Sequence, residues 1–131
     1  MLLDQALLDK VSAEAKESPR LRMNFNLHES LDSKVQRLFN AMEPGTIVPI
    51  QRHQNTAETM LLVRGKMNVY FHNQVGDITE TFGLSPKDGV YGVHIPKGQW
   101  HSVEVLESGT VMFEVKEGPY APLSNEDIIE R

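Results

Sequence analysis

Three side chains able to hold a metal ion fall in two short segments of this sequence. The first, Gly45-x5-Gln51-x-His53-x4-Glu58-x6-Gly65, carries His53 and Glu58. The second, Pro96-x-Gly98-x2-His101, carries His101. Gln51 and His53 are two residues apart, so on an extended chain both side chains leave the same face. Glu58 opens the next strand after a short polar loop and can return to the same point. Pro96 and Gly98 make a turn that delivers His101 at the head of another strand. If these strands are neighbours in one barrel, His53, Glu58 and His101 meet at its mouth. Two imidazoles and a carboxylate with open positions form the donor set of non-haem Fe(II) sites. The same set suits Mn, Ni or Zn used as a Lewis acid. The chain has no cysteine, which excludes disulfides, thiolate ligands and cysteine nucleophiles.

A second candidate is "RMNFNLHES". Arg22, Asn24, Asn26 and His28 alternate with Met23, Phe25 and Leu27, so the four polar residues share one strand face. Two readings stay open. They form a solvated outer face or polar dimer contact, or they line the interior and bind a polar, anionic or sugar-like ligand. In the second case Arg22 is placed to clamp a carboxylate or phosphate. Other residues read more plainly. Arg52, between Gln51 and His53, points the opposite way and belongs to the surface. His72 is expected exposed at a hairpin end, and His94 on a strand surface. Trp100 is expected to pack behind His101. Phe71, Phe82 and Phe113 read as core, and Met60 and Met67 as core or pocket wall. For Tyr91 and Tyr120 the sequence leaves open whether they reach the pocket.

These side chains need a scaffold, and the hydrophobic pattern supplies one. "LLDQALLDKVSAEAKES" places Leu3, Ala6, Leu7, Val11 and Ala15 at helical spacing, and Ser18-Pro19 ends the run. Residues 1–18 therefore read as an amphipathic helix, and 19–131 as a single domain. "KVQRLFNAME" fits strand or helix. Beyond it, short strands are cut by turn signals at Pro44-Gly45, Arg64-Gly65, Gly76-Asp77, Asp88-Gly89, Lys97-Gly98 and Ser108-Gly109. The tail "GPYAPLSNEDIIER" holds two prolines and room for a helical turn. Strands at this spacing without long intervening helices predict an all-β sandwich or barrel. The formal charge of −5 argues against a nucleic-acid or anionic-membrane partner. The N-terminus lacks signal-peptide character and no run reaches membrane-spanning length, so a cytoplasmic protein is expected.

The two segments resemble the cupin motifs G-x5-H-x-H-x(3,4)-E-x6-G and G-x5-P-x-G-x2-H-x3-N. Gln51 replaces the first histidine. Gly89 lies one residue too early, and Val105 stands in place of the final asparagine. "SPRLRMNFNLHESLDSKVQRLFNAMEPGT", "LVRGKMNVYF" and "GTVMFEVKEGPY" are similar to the WbuC-type cupin-fold metalloproteins, small bacterial proteins linked to surface-polysaccharide genes. This resemblance implies a double-stranded β-helix (jelly-roll barrel) with the N-terminal helix packed outside, and a homodimer. It implies one divalent transition metal (Fe, Mn, Ni or Zn) held by His53, Glu58 and His101. Gln51 falls at the fourth ligand position, as a weak ligand or a partner of bound water. The function expected is a metal-binding cupin acting on a small polar metabolite, such as a sugar derivative of surface-polysaccharide (O-antigen) synthesis. Two alternatives remain: a non-catalytic metal- or sugar-binding module, and a metal-free sugar epimerase or isomerase using a histidine base.

Overall fold

The structure is a computed structural model that describes residues 1–130. Helix α1 (Gln5–Glu17) starts at Asp4, whose carboxylate accepts from the Leu7 N–H at 3.0 Å. That contact satisfies one of the free donors at the helix start. The helix stops at Ser18, where Pro19 disfavours another turn. Ten strands follow: β1 (Arg22–Asn26), β2 (Val35–Met42), β3 (Ile50–Gln51), β4 (Glu58–Arg64), β5 (Met67–His72), β6 (Ile78–Leu84), β7 (Gly92–Ile95), β8 (Trp100–Val105), β9 (Thr110–Glu117) and β10 (Ile128–Ile129). They form two antiparallel five-stranded sheets, ordered β1-β2-β9-β4-β7 and β10-β3-β8-β5-β6. The expected all-β architecture with one N-terminal helix is what the chain adopts.

The core lies between the sheets. Met42, Met60, Leu62, Met67, Val69, Phe71, Leu84, Ile95, Val105 and Met112 are buried together there. A second apolar cluster lies outside the first sheet. Leu8, Val11 and Ala15 of α1 pack on Phe39, Ala41 and Val111, with Met23, Phe25 and Phe113 beside them. These strand residues sit at alternate positions of β1, β2 and β9. Their neighbours must therefore face inward: Arg22 and Asn24, then Asn40 and Met42, then Met112, Glu114 and Lys116. The helix thus decides which face of "RMNFNLHES" is internal.

Two elements were not resolved by pattern alone. "KVQRLFNAME" becomes strand β2, paired with both β1 and β9. The tail forms a 3-10 turn at Asn125–Asp127 and then adds β10 beside β3, a pairing that its prolines concealed. Arg64 ties the helix to the sheet, donating to the Asp9 carboxylate at 2.6 Å, to Ser12 Oγ at 3.0 Å and to the Gly109 carbonyl at 2.9 Å.

Gly65, the last glycine of the first segment, has a structural duty. Its φ is +96°, and a Cβ there would lie 2.2 Å from Thr110 Oγ1 and 2.6 Å from Thr110 Cα. Both the backbone conformation and the contact demand glycine. Gly65→Ala should destabilise the fold by ~2 kcal/mol or more, seen as a lower urea midpoint. An unchanged midpoint would contradict the close approach of the β4–β5 turn to the start of β9.

Candidate metal centre

Each donor is placed by a distinct element. Glu58 begins β4, paired with Ile95 of β7 on one side and Lys116 of β9 on the other. His53 follows β3, and its carbonyl accepts from the Gly98 N–H at 2.8 Å. That bond docks the turn that leads into β8 and His101 onto the segment after β3. His101 lies in β8, opposite Gln51 of β3 and Phe71 of β5. His53 Nε2 is 3.6 Å from Glu58 Oε2, and His101 Nε2 is 4.0 Å from Glu58 Oε1. One donor atom from each of the three residues falls within 4.8 Å of the others. Ligands about 2.1 Å from a common ion stand roughly 3.0–3.4 Å apart, so a small contraction completes the site.

The tautomer of His101 is settled by its neighbour. Its Nδ1 lies 3.0 Å from the Gln99 carbonyl, which can only accept, so Nδ1 carries the proton. Nε2 then presents a lone pair. That atom is buried and has no hydrogen-bond partner among the described residues. An imidazole held by a carbonyl at one nitrogen, with the other free toward a carboxylate, is the usual support of a metal-binding histidine. Gln99 is itself fixed, its side-chain amide donating to the Trp100 carbonyl at 2.8 Å and the His72 carbonyl at 3.2 Å.

Burial sets the charge states. It pushes the His53 imidazolium down to about 4, with Lys116 and His101 adding to the effect. Burial also lowers His101. Both rings are therefore neutral near pH 7, as metal ligation requires. Glu58 is raised by desolvation, with Lys116 opposing, and a bound cation would favour its carboxylate. The donors fit a divalent transition metal in identity, spacing and protonation.

The three residues line one cavity of about 280 Å³ together with Gln51, Arg22 and Asn24. Asn26 and His28 lie outside its lining. Asn26 is exposed at the end of β1, while the His28 ring meets the Arg37 backbone. Reasoning from sequence missed Glu114, Lys116 and Asn40, which also line the cavity. The signal was the alternation of "TVMFEVKE": Met112, Glu114 and Lys116 share the inner face, but the apolar run before them hid the period. Glu114 is enclosed by protein yet keeps surface toward the cavity. Desolvation, with the Glu58 charge adding, raises it to about 7. It accepts one long hydrogen bond, from the Asn40 amide at 3.5 Å.

Arg52 does point away from the cavity. Its guanidinium lies 4.6 Å over the Trp100 ring and donates to Asp127 Oδ1 at 3.0 Å. Trp100 therefore packs under Arg52 on the outer face and not behind His101, because adjacent strand residues face opposite ways. Asp127 also accepts from Gln54 at 2.6 Å, so one carboxylate of the tail grips both sides of His53. His72 corrects another expectation. It is buried, donating from Nδ1 to the Gly76 carbonyl at 3.0 Å and accepting at Nε2 from the Ser102 hydroxyl at 2.7 Å. The turn after β5 folds back over it. His94 is exposed, as expected, and meets Thr59. Met60 and Phe71 are core, Tyr91 is exposed, and Tyr120 reaches the cavity wall.

Residues 3–84, more than half of the chain, match the family described as Domain of unknown function (DUF6016). The chain belongs to DUF6016. No curated protein matches this DUF6016 member in sequence. In three dimensions it is similar to KdgF from Halomonas sp., with 15% identity and a TM-score of 0.62 over 79% of this chain and 84% of that one. It is also similar to the capsular polysaccharide assembling protein CapF from Staphylococcus aureus, with 23% identity and a TM-score of 0.61 over 76% of this chain. The match spans 27% of CapF, about a quarter of its length. The Schizosaccharomyces pombe Cnp3 cupin domain aligns with 14% identity and a TM-score of 0.57, over 73% of this chain and 59% of that one. The fold of this DUF6016 member is that of a cupin.

Gln51 faces the same cavity as the three donors, so its substitution reports on the centre. Gln51→His should tighten Co(II) or Zn(II) binding by about tenfold or more, because imidazole is a stronger ligand than an amide. Equal affinity in the variant would show that side chain 51 does not reach the ion.

Proposed function

We propose that this DUF6016 member binds one divalent transition metal through His53, Glu58 and His101, and receives a small polar metabolite beside it. One observation carries this reading. The buried Nε2 of His101 offers its lone pair toward Glu58 and His53 in a cavity that also holds Arg22 and Asn24. A metal there would supply Lewis acidity at positions the protein leaves open. The chain's own residues orient and neutralise. Gln99 fixes the His101 ring, Gln51 offers an amide to a bound water, and Arg22 and Asn24 offer hydrogen bonds to a ligand.

The metabolite we favour is a sugar derivative of surface-polysaccharide synthesis. The resemblance to WbuC-type proteins and the likeness to a capsular polysaccharide assembling protein support that choice. A cupin fold alone does not specify a reaction, so catalysis and simple binding are separated by turnover of candidate sugars. The metal-free epimerase reading is separated by chelation. It has less support, because three donors converge within 4.8 Å of one another, more than a single histidine base requires.

Metal content tests the proposal. Full-length protein purified without chelator, then reconstituted with Fe(II), Mn(II), Ni(II) or Zn(II), should hold about one equivalent of at least one of them. His101→Ala and Glu58→Ala should fall well below that. Failure of the parent protein to retain any of the four would sink the assignment.

A further inference from the structure

We infer that the ligand of this cavity is an anion, seated between the three metal donors and the cationic side chains Arg20, Arg22 and Lys116. This rests on the metal-binding reading and adds the chemical class of the ligand. The chain as a whole carries −5, yet the ionised residues lining the cavity are Arg20, Arg22 and Lys116 against Glu58 and Glu114. Glu58 belongs to the metal centre, and a divalent ion would make the lining more positive still. A pocket opposite in sign to its protein concentrates anions.

Lys116 acts on Glu58 and Glu114 through space, but none of the three cations is locked in a direct ion pair. The ion pairs within 4.0 Å among the described residues join Arg52 to Asp127, Arg64 to Asp9, and His53 and His101 to Glu58. None involves Arg20, Arg22 or Lys116. Arg22 makes one long bond, from Nη1 to the Ile47 carbonyl at 3.3 Å, and keeps donors free for a carboxylate or phosphate. Burial and the neighbouring Arg20 lower its affinity for its own proton. A half-buried guanidinium and ammonium with no carboxylate in direct contact keep donors for a bound anion. Strand alternation holds Arg22 and Lys116 in place, since Met23 and Phe25 of β1 and Val111 and Phe113 of β9 belong to the cluster against α1.

The mouth orients the ligand. A second chamber adjoins the cavity, sharing His53, Lys116, Tyr120, Ala121 and Leu123 with it. Its remaining ionised lining is Glu117, Glu126 and Asp127. Those carboxylates disfavour an anionic group, so the anion sits in the first cavity and a neutral polar portion faces the second chamber. The inner volume of about 280 Å³ is at the small end for ligand sites, which suits a compact metabolite.

The test is a titration of full-length, Zn(II)-reconstituted protein, followed by amide NMR. The probes are glycerol 3-phosphate, glycerate and glycerol. Both anions should bind at the cavity residues and outcompete glycerol by at least about tenfold. Glycerol 3-phosphate binding tighter identifies a phosphate seat, and glycerate binding tighter a carboxylate seat. Arg22→Gln and Lys116→Met should each weaken the better anion by about tenfold or more, with zinc retained and the thermal midpoint no lower. Arg22→Lys should retain part of the affinity. Glycerol binding as well as the anions, or anion affinity indifferent to both substitutions, would overturn the inference. Zinc content measured on the same samples distinguishes this failure from failure of the metal centre. Arg22-dependent anion binding in protein that retains none of Fe(II), Mn(II), Ni(II) or Zn(II) would sink the metal reading and leave the anion seat standing.

Discussion

The apolar stripe of α1 is the constraint on which the rest of this structure depends. Leu8, Val11 and Ala15 cover Phe39, Ala41 and Val111 on the outside of the first sheet. In a strand, what one residue gives to the outside its neighbour gives to the inside. Committing the apolar residues of β1, β2 and β9 to the helix therefore turns Arg22, Asn24, Asn40, Glu114 and Lys116 into the space between the sheets. A polar interior is costly unless it is hydrogen-bonded or has a ligand to meet. The methionine-rich core, with Met42, Met60, Met67 and Met112, closes one part of that space, and the polar set occupies the part that stays open.

Within that opening, the donor triad is assembled by backbone contacts that cross between elements. The Gly98 N–H reaches the His53 carbonyl, and the Gln99 carbonyl fixes the His101 ring. Asp127 holds Arg52 and Gln54 on either side of His53, while Arg52 lies over Trp100 beside His101. The two histidine-bearing segments are thus coupled on their outer side by the chain's tail. The tail also contributes Tyr120, Ala121 and Leu123 to the cavity wall. Metal geometry and access to the cavity accordingly depend on the same stretch of chain.

Much of this was legible in the sequence, for physical reasons that differ by residue. His53, Glu58 and His101 stood out because motif spacing encodes where strands start and stop: His53 follows β3, Glu58 opens β4 and His101 lies at the head of β8. The polar face of "RMNFNLHES" was visible as a period of two. Whether it faced in or out was not, because that depends on a helix joined to it only through tertiary packing. Asn26 and His28 share the period but run past the end of the cavity, a limit that strand length sets and alternation cannot. Glu114 and Lys116 were hidden by the apolar run "TVMF", where both faces of β9 are covered. His72 and Trp100 were misplaced because their burial comes from a turn, a tail and Arg52, all distant in sequence or irregular in shape.

The most direct test of the central claim is a crystal structure of protein purified without chelator, with anomalous scattering recorded at the edges of Fe, Mn, Ni and Zn. The metal reading requires one peak about 2.0–2.2 Å from His53 Nε2, a Glu58 carboxylate oxygen and His101 Nε2, with His101 Nδ1 still bonded to the Gln99 carbonyl. Full occupancy of that position by a water or a side chain, with no anomalous signal after reconstitution, would contradict it.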